Sequence, residues 1–557
     1  MTSIHKSKGV LAMAAHTDDD STQYDSKVLE HLGMVASMID ELALVETIDA
    51  MLPKDEEKRT LSHGQALKAM ILNGLGFSRR ALYLTPLFFK DKPVERLLGT
   101  GITADMLNDD ALGRTLDAIY KYGVERFYSQ LSVMSATKLK LHCTTTHLDS
   151  TSIHADGVYN SHQSPEEDSG IIHITQGYSR DHRPDLNQVV AQFICENQAG
   201  IPLLMAPLSG HSDDKSGFRA TIKEHIEQLK TDVGLEYIVA DSAFYTAETL
   251  KESNHFFWVS RVPETLSLAR QAIVDYAPSL MQQPDEMAMQ AIAAHYADIE
   301  QRWLIVYSPQ ARNRSIKTVT KQCDNLSTKE VKTIKELLKQ EFACEADARA
   351  ALTKCQKRLV MTQLSDIQLT QVPRYKKSGR PPEGAKPDRM VTQISATLHS
   401  DPAIYTQKLQ RKSCFILATN QLDTDALSDD KLLQTYKEQQ KVERGFRFLK
   451  DPMFMASTLF LKSVTRIMAL MSIMTLCLLV YAALEYRIRK VLKENEETVP
   501  NQLGVGVTNP TARWVFQYFT GIHILVINKA QTIVLHMNDT QRKLLRLLGE
   551  RYLEIYS

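Results

Sequence analysis

The chain has little of what marks a secreted, disulfide-bonded or strongly charged protein. Its 557 residues include only 7 cysteines, scattered and without a Cys-x-x-Cys pair. That pattern indicates neither a disulfide framework nor a cysteine zinc site, and it fits a reducing compartment. The 66 Lys and Arg balance 66 Asp and Glu, so any nucleic-acid partner has to be bound by local patches. The first twenty residues have only a short apolar run before several acids, so we do not expect a signal peptide there.

Long apolar runs are equally scarce, with one exception near the C-terminus. Residues 467–484 read IMALMSIMTLCLLVYAAL, which is a run of uncharged and mostly apolar residues. Its length just reaches what a transmembrane helix requires. The run stands alone and contains Ser, Thr, Cys and Tyr, which favours the core helix of a large protein. We therefore expect a buried helix here, with a membrane span as the alternative.

The N-terminal part of the chain divides into a tail and a helical domain. Residues 1–25 are polar with an Asp run, which predicts a disordered tail. Residues 26–137 follow a helical period, and Ser62 and Asn108 are capping signals there. Helices joined by tight turns suit a helix-turn-helix DNA-binding module and a plain helical domain equally well. Both interpretations stay open for this domain.

From 138 to 263 the pattern changes to strands alternating with helices. The segments KLKLHCTTTHLDSTSIHADG, GIIHITQGYSR and NQVVAQFICENQAGIPLLMAPLSG predict three successive strands. A helix capped near Ser212, the strand LEYIVADSAF, another helix and the strand HFFWVSRVP follow. This order predicts an α/β fold with a sheet of mixed direction and flanking helices.

The remainder predicts an insertion before the sheet is completed. Residues 264–410 contain long charged helical stretches and the loop RYKKSGRPPEGAKPDR, which we interpret as an insertion and not as more of the sheet. The basic loop is either a solvated linker or a flexible contact to phosphate. Residues 411–455 return to a strand, SCFILATN, and then to a helix over TYKEQQKVERGFRFLK. Residues 456–557 are mainly helical by pattern.

Three acidic residues lie where α/β sheets present their chemistry. Asp149 lies on or at the end of the first strand, Asp241 ends a later strand, and Glu443 lies in the helix after SCFILATN. Taken singly, an Asp at such a place is as often the cap of the next helix. Together, three hard oxygen ligands from separate elements suit Mg²⁺ that also binds water and a substrate phosphate. Two such ions can activate a water or a 3′-hydroxyl for attack on a phosphodiester.

The residues around these acids resemble those of a known family. The last motif reads Tyr436-x2-Gln439-x3-Glu443-x6-Lys450, and HLDSTS, GYSRDHRPDLNQVVAQF and VADSAFYT precede it in order. From about residue 26 to the C-terminus the chain resembles bacterial insertion-sequence transposases of the DDE class, in the group with a Tyr-x2-Arg-x3-Glu-x6-Lys signature. Gln439 stands where that signature has Arg, so we expect a hydrogen bond to phosphate there without a charge.

This resemblance implies a ribonuclease H-like catalytic domain with an insertion between its second and third acids. It implies that Asp149, Asp241 and Glu443 are catalytic and hold two Mg²⁺ ions, for which Mn²⁺ can substitute. Tyr436 and Lys450 would contact phosphate near the cleaved end. The implied activity is nicking at the ends of an insertion sequence and strand transfer into target DNA. The implied partners are terminal inverted repeats, target DNA and a second copy of the chain, in the cytoplasm on the nucleoid and without a membrane.

Further basic side chains are predicted to contact DNA. Arg444 and Arg447 accompany Glu443 and would meet phosphates. Arg180 and Arg183 lie in the loop GYSRDHRPDL, which is either a DNA-contacting loop or a charged turn stiffened by proline. We favour the DNA-contacting interpretation, because the family resemblance includes this segment.

Histidine and aromatic residues are weighed for supporting roles. His147 shares a strand face with Asp149, and we expect it to be packed and hydrogen-bonded in preference to binding metal. Trp258 is predicted to lie in the core. Trp303 and Tyr307 are the candidates for an aromatic that stacks on a flipped base, as in some relatives.

Three alternatives come from other classes of protein. The nearest is a ribonuclease H-fold nuclease without strand transfer. Only the large insertion and the pair Tyr436 and Lys450 favour a protein that holds DNA ends over such a nuclease. The second is a transposase-derived protein that binds DNA without cutting it. The third is a membrane protein anchored by residues 467–484. A cleavage assay separates the second from a transposase, and fractionation tests the third.

Overall fold

The chain forms two compact units. The computed structural model describes residues 23–53, 60–77, 82–155, 159, 170–179, 183–376, 386–440, 445, 448–450, 461–528 and 531–557. Unit 1 comprises Met1–Asp213, His225–Leu235 and Gln440–Ser557, and unit 2 comprises Asp214–Glu224 and Glu236–Gln439.

The described residues form helices and strands in an order typical of an α/β protein. The helices are α1 Leu32–Glu41, α2 Leu44–Met51, α3 His63–Leu75, α4 Thr85–Phe89, α5 Val94–Leu98, α6 Asp109–Tyr122, α7 Val124–Lys138, α8 Asp214–Val233, α9 Ala247–Glu252, α10 Ser267–Leu280, α11 Pro309–Leu338, α12 Glu345–Gln356, α13 Pro402–Ser413, α14 Asp429–Lys437, α15 Val464–Glu494, α16 Ala512–Tyr518, α17 Asp539–Leu548 and α18 Glu550–Glu554. The strands are β1 Tyr24–Val28, β2 Thr145–His154, β3 Gln188–Glu196, β4 Pro202–Leu208, β5 Tyr237–Ala240, β6 Phe257–Arg261, β7 Ala288–Tyr296, β8 Ile299–Tyr307, β9 Glu341–Phe342, β10 Thr362–Arg374, β11 Arg389–Ser400, β12 Cys414–Thr419, β13 Val499–Pro500, β14 Gly506–Val507, β15 His523–Ile527 and β16 Gln531–Leu535.

Both capping signals in the N-terminal helices of unit 1 are confirmed. The Ser62 hydroxyl accepts a hydrogen bond from the backbone N–H of Gln65, whose side chain in turn accepts one from the backbone N–H of Ser62. The Asn108 side chain accepts from the backbone N–H of Ala111 at 3.0 Å. Each cap satisfies a donor that the first turn of a helix leaves unpaired, so α3 and α6 begin where the sequence predicts.

The core of unit 1 forms around α15. This helix packs against α1, α3, α6 and α7, and its apolar residues belong to one large buried cluster with theirs. By length and composition alone it could cross a membrane, yet 94% of its most apolar 18-residue window is buried within the fold. A helix that is apolar all round needs protein or lipid on every side, and here protein provides it. The expected buried helix over 467–484 is confirmed as the middle of α15.

Unit 1 also contains strands. β2, β3 and β4 form consecutive antiparallel pairs, and Asp149 lies opposite Phe193 in the β2–β3 ladder. Every residue of β3 is buried, so these strands are covered on both faces. Separately, β1, β15 and β16 form a three-stranded antiparallel sheet in that order.

One strand predicted in unit 1 is wrong. Of the segment GIIHITQGYSR, residues 170–179 are described, and they make only an isolated bridge between Thr175 and Gln188. Two glycines explain the close approach at that point, because a Cβ on Gly177 would lie 2.0 Å from the carbonyl oxygen of Gly210. The backbone therefore runs against β3 without a ladder, and alternation alone did not reveal this.

Unit 2 contains a mixed sheet in the order β5–β6–β12–β8–β7. β5 and β6 are parallel and are connected through α9, whereas the other neighbours are antiparallel. The predicted mixed direction is thus confirmed within this unit. The core between sheet and helix contains residues of β5, β6, β8 and β12 and of α14.

The expectation that residues 264–410 do not continue the sheet is wrong. β7 and β8 form a hairpin, and β8 pairs with β12, for example Tyr307 with Cys414. The hairpin turns at Ala297 and Asp298, whose φ angles are 56° and 60°. A two-residue turn with positive φ at both positions is usually recognised by Gly after Asn, Asp or Gly, whereas here Ala297 is followed by Asp298.

The rest of this segment builds a separate layer of unit 2. The long helix α11 packs against α12 and α13, and β10, β11 and β9 form a three-stranded antiparallel sheet in that order. Two small apolar clusters join these elements. The middle of the basic loop, residues 377–385, lies outside the described part of the chain.

Candidate active site

Asp149 lies in the middle of β2 and is buried, with 8% of its surface exposed. Its Oδ1 accepts a hydrogen bond of 2.7 Å from the backbone N–H of Ser150. The pKa of the nearby Cys195 thiol is raised well above its usual value by burial and by the negative charges of Glu196 and Asp149. A residue in mid-strand cannot cap a helix, so that alternative does not apply to Asp149.

The turn after β3 is built on buried polar side chains. His147 is fully buried, and its Nε2 lies 2.9 Å from Oδ1 of Asn197. The carboxylate of Glu196 accepts hydrogen bonds from backbone N–H groups of the turn, including those of Ala199 and Ile201. Burial nevertheless raises the pKa of Glu196. His147 is thus packed and hydrogen-bonded, as expected.

Asp241 follows β5 directly, at the carboxyl end of a parallel strand of unit 2. Its Oδ1 accepts a hydrogen bond of 2.9 Å from the backbone N–H of Ala243, and its carbonyl oxygen accepts one from the Ser260 hydroxyl. The next helix begins at Ala247 and is capped by Thr246. Asp241 is therefore held by its own loop and does not cap α9.

Buried aromatic residues anchor the loop after Asp241. The hydroxyl of Tyr245 donates to Oε1 of Gln301, and the indole N–H of Trp303 donates to both of these oxygens. Phe244 is fully buried next to it. Burial raises the pKa of Tyr245. Sequence reasoning missed Tyr245 and Gln301, although the motif VADSAFYT contains the tyrosine.

The two aromatic candidates for stacking on a flipped base, Trp303 and Tyr307, are both buried in this structure. Trp303 is 2% exposed and its N–H is used by the network around Tyr245. Tyr307 is fully buried, and its hydroxyl donates to the carbonyl oxygen of Pro284 at 2.6 Å. Neither ring offers a face to a base. Trp258, predicted to lie in the core, is confirmed there with no exposed surface.

The motif around Glu443 is not one continuous helix. α14 ends at Lys437, and residues 438 and 439 form a turn. Tyr436 is half-buried against the core of unit 2. Gln439 is buried, and its backbone N–H donates to the carbonyl oxygen of Tyr436 at 3.2 Å. The expectation of a single helix over the motif is therefore wrong, because this turn interrupts it.

The segment that ends at Lys450 rests on α15. Gly445 lies so close to Leu478 that a Cβ on the glycine would be 3.3 Å from the leucine side chain. Phe448 stacks on Tyr481 of α15, with ring centroids 4.4 Å apart and an angle of 29° between the rings. Lys450 is half-buried. α15 thus supports the segment through the contacts of Gly445 and Phe448.

The remaining predicted contacts fall in two groups. Arg183 is described and forms an ion pair of 2.8 Å with Asp185, whose pKa the guanidinium lowers. Because both side chains are half-exposed, this pair leaves the loop with little net charge. The predicted site residues outside the described part of the chain are Arg180, Glu443, Arg444 and Arg447.

Comparison with known proteins assigns the larger part of the chain to a family. A family model described as Transposase DDE domain matches residues 144–480, and one described as Domain of unknown function (DUF4277) matches residues 24–133. No curated protein matches. The chain resembles the cryo-EM structure of a piggyBac transposase synaptic complex with hairpin DNA at 9% identity, covering 89% of this chain and 82% of that chain with a TM-score of 0.36. That likeness is too distant to carry an argument.

The Transposase DDE domain match includes the strand of Asp149, the strand before Asp241 and most of α15. Enzymes of this family act on DNA and generally use divalent metal ions. Because the matched region is more than half of the chain, the protein belongs to the Transposase DDE domain family and is a DNA transposase, an enzyme of DNA cleavage and strand transfer.

Proposed function

We propose that Asp149, Asp241 and Glu443 are the catalytic carboxylates of this transposase. The observation that carries the proposal is the setting of the two aspartates. One is buried in mid-strand and the other ends a parallel strand, and each has a carboxylate oxygen held by a backbone N–H. Neither caps a helix, so their commonest structural role is absent.

The chemistry of this donor set fits two Mg²⁺ ions, with Mn²⁺ as a substitute. Carboxylate oxygens are the hard ligands that these ions prefer. When bound, the ions would lower the pKa of the attacking hydroxyl and neutralise charge on the phosphate. The backbone N–H groups of Ser150 and Ala243 would orient the carboxylates of Asp149 and Asp241 toward such ions.

The proposed reaction has two steps. First, a water attacks the phosphorus at the element's end, the P–O3′ bond breaks, and a 3′-hydroxyl is released. That hydroxyl then attacks a target phosphorus, forming a new P–O bond while the target strand is cut. No bond between protein and DNA forms at either step. Tyr436, Gln439 and Lys450 would hold phosphates near the cleaved end, with Gln439 donating a hydrogen bond but no charge.

The proposal extends to the element and its assembly. We infer a bacterial insertion sequence of the Tyr-x2-Arg-x3-Glu-x6-Lys group, acting in the cytoplasm on the nucleoid. Residues 26–137 would help to recognise the terminal inverted repeats, and two ends would be joined by a homodimer. Residues 138–263 and 411–455 would form the ribonuclease H-like core. The proposed phosphate contacts beyond the motif are Arg180, Arg183, Arg444 and Arg447.

The test uses purified protein, Mg²⁺ and a labelled duplex with the DNA that flanks the gene. We expect wild type to nick at the repeat boundary and Asp149→Asn, Asp241→Asn and Glu443→Gln to bind the duplex without nicking it. Asp275→Asn is the matched control, since it removes an exposed carboxylate of α10 that has no part in the proposed site, and it should nick normally. Metal-dependent nicking by any of the three pure variants would show that its carboxylate is not catalytic.

A further inference from the structure

The long helix α11 of unit 2 has one face that contacts protein and one that faces solvent. Its buried apolar residues, among them Val319, Cys323 and Ile334, lie on a single side. They contact α12, α13 and the sheet formed by β10 and β11. The opposite side is exposed along the whole helix, so its side chains are available to a partner.

That exposed side carries a straight line of cations, which we call the basic row. At 3.6 residues per turn its members fall within about 60° of one another around the helix axis. They lie opposite the buried apolar residues, and all of them are exposed. The basic row consists of five residues of α11 and the residue that follows its last turn: Arg314, Lys317, Lys321, Lys332, Lys335 and Lys339.

Acidic residues do not neutralise the basic row. Among the described residues, none of its six side chains forms an ion pair. Glu330 points inward, where its carboxylate accepts hydrogen bonds from the backbone N–H groups of Val360 and Met361. The exposed acids of α11 are Asp324 and Glu336, each one turn from a lysine of the row, so six cations face two acids.

The neighbouring helix α13 adds to the same charge. It lies along the N-terminal half of α11, where the Ser315 hydroxyl donates to the carbonyl oxygen of Lys412 and the hydroxyls of Thr320 and Tyr405 are 3.4 Å apart. α13 contains Lys408, Arg411 and Lys412 but no Asp or Glu. α13 therefore adds positive charge to this part of unit 2, in a chain whose formal net charge is zero.

We propose that the basic row binds the phosphate backbone of duplex DNA. From Arg314 to Lys339 it is about 38 Å long at 1.5 Å per residue, which equals the length of about eleven base pairs. A neutral chain attracts DNA only through such a local patch. Contacts to phosphate fix the position of a duplex and read no sequence. The inference rests on the proposed action of this transposase on DNA, but not on which carboxylates are catalytic.

The test measures how duplex binding depends on salt. The variant replaces Lys317, Lys321, Lys332 and Lys335 by Gln, which keeps helix propensity. Each lost phosphate contact should reduce the slope of log K against log salt by about 0.9, so a reduction of about 2 to 4 is expected. The slope should fall by the same amount when the duplex lacks the repeats, because contacts to phosphate read no sequence. The matched control replaces four exposed lysines outside the row, Lys215, Lys223, Lys354 and Lys357.

Two results would overturn the inference. One is a wild-type slope in the variant, and the other is an equal reduction in the control, which would indicate a general charge effect. Circular dichroism and the unfolding midpoint confirm that each variant is folded. Since the readout is binding, it stands apart from the nicking test: the Asp149→Asn protein should show the wild-type slope even though it does not cut.

Discussion

Two helices of nearly equal length have opposite environments in this protein. α15 has 31 residues and α11 has 30. In α15 twenty residues are buried, distributed all round the helix, whereas in α11 six are buried and the charged residues line the other side. One helix is therefore the centre of a core, and the other is a surface with one protein-facing side.

Helix length therefore does not distinguish a core helix from a surface helix. What decides it is how apolar residues are distributed around the axis. An uncharged run must be covered on all sides, while an amphipathic helix exposes half of itself to solvent or to a partner. In this transposase the covered helix supports the segment that ends at Lys450, and the exposed helix offers cations to DNA.

The largest expected effect comes from truncating the covered helix. Leu476→Ala in α15 should lower the free energy of unfolding by about 2–5 kcal/mol, because the side chain is fully buried and leaves a cavity. Lys321→Ala in α11 should change it by less than about 0.5 kcal/mol, because the lysine is exposed. Denaturant unfolding of both full-length variants checks this. Equal losses would mean that the two helices do not differ as described.

A smaller effect is expected where α15 supports the proposed site. Phe448→Ala removes the stacking on Tyr481, and the nicking rate should fall about tenfold or more as the motif loses its position. Phe448→Leu keeps much of the apolar contact and should recover most of the rate. Leu337→Ala, which truncates a buried residue of α11, is the control. Leu337→Ala should lower the free energy of unfolding but leave the nicking rate per folded molecule unchanged. A slower rate in this control would mean that Phe448 has no particular role in positioning the motif.

The smallest effect concerns pH. His31 of unit 1 is buried, stacks on Phe516 and has its Nε2 2.9 Å from the carbonyl oxygen of Leu75. Burial lowers the pKa of His31 in the folded state. The unfolded state therefore takes up the proton first as pH falls below about 6.5, and stability is lost from there toward the folded-state pKa.

The measurement for this prediction is the unfolding midpoint between pH 7.5 and pH 5. His31→Phe should reduce the loss of stability as pH falls, whereas Lys317→Gln in α11 should leave the dependence of the unfolding midpoint on pH as in wild type. α11 contains no histidine, so its exposed side keeps its charge over this range. A His31→Phe protein with an unchanged profile would assign the pH dependence to another group.

Local signals in the sequence predicted the start of α3 at Ser62 and of α6 at Asn108, the strand before Asp241, and the burial of Trp258. Each of these depends on a few neighbouring residues or on a short apolar run. The hairpin of β7 and β8 was missed because its turn at Ala297 and Asp298 has no glycine. The stacking role given to Trp303 failed because burial depends on neighbours far along the chain.

The catalytic family was likewise readable from the order of short motifs, and the family match agrees with it. The roles of Asp149, Asp241 and Glu443 remain proposals that the nicking assay decides. The positions of Phe448 against Tyr481 and of Tyr245 against Gln301 were not readable, since each pair joins separate elements.

The sequence alone was enough to predict the starts of α3 and α6, the burial of residues 467–484, and the order of the acidic motifs that is typical of a DDE transposase. The tertiary structure was needed to show that α15 supports the motif segment, that β7 and β8 extend the sheet of unit 2, and that the cations on the exposed side of α11 form no ion pair among the described residues. The reason is physical: propensity, capping and periodicity act between neighbours in the chain, whereas burial and charge pairing depend on which distant residues the fold brings near.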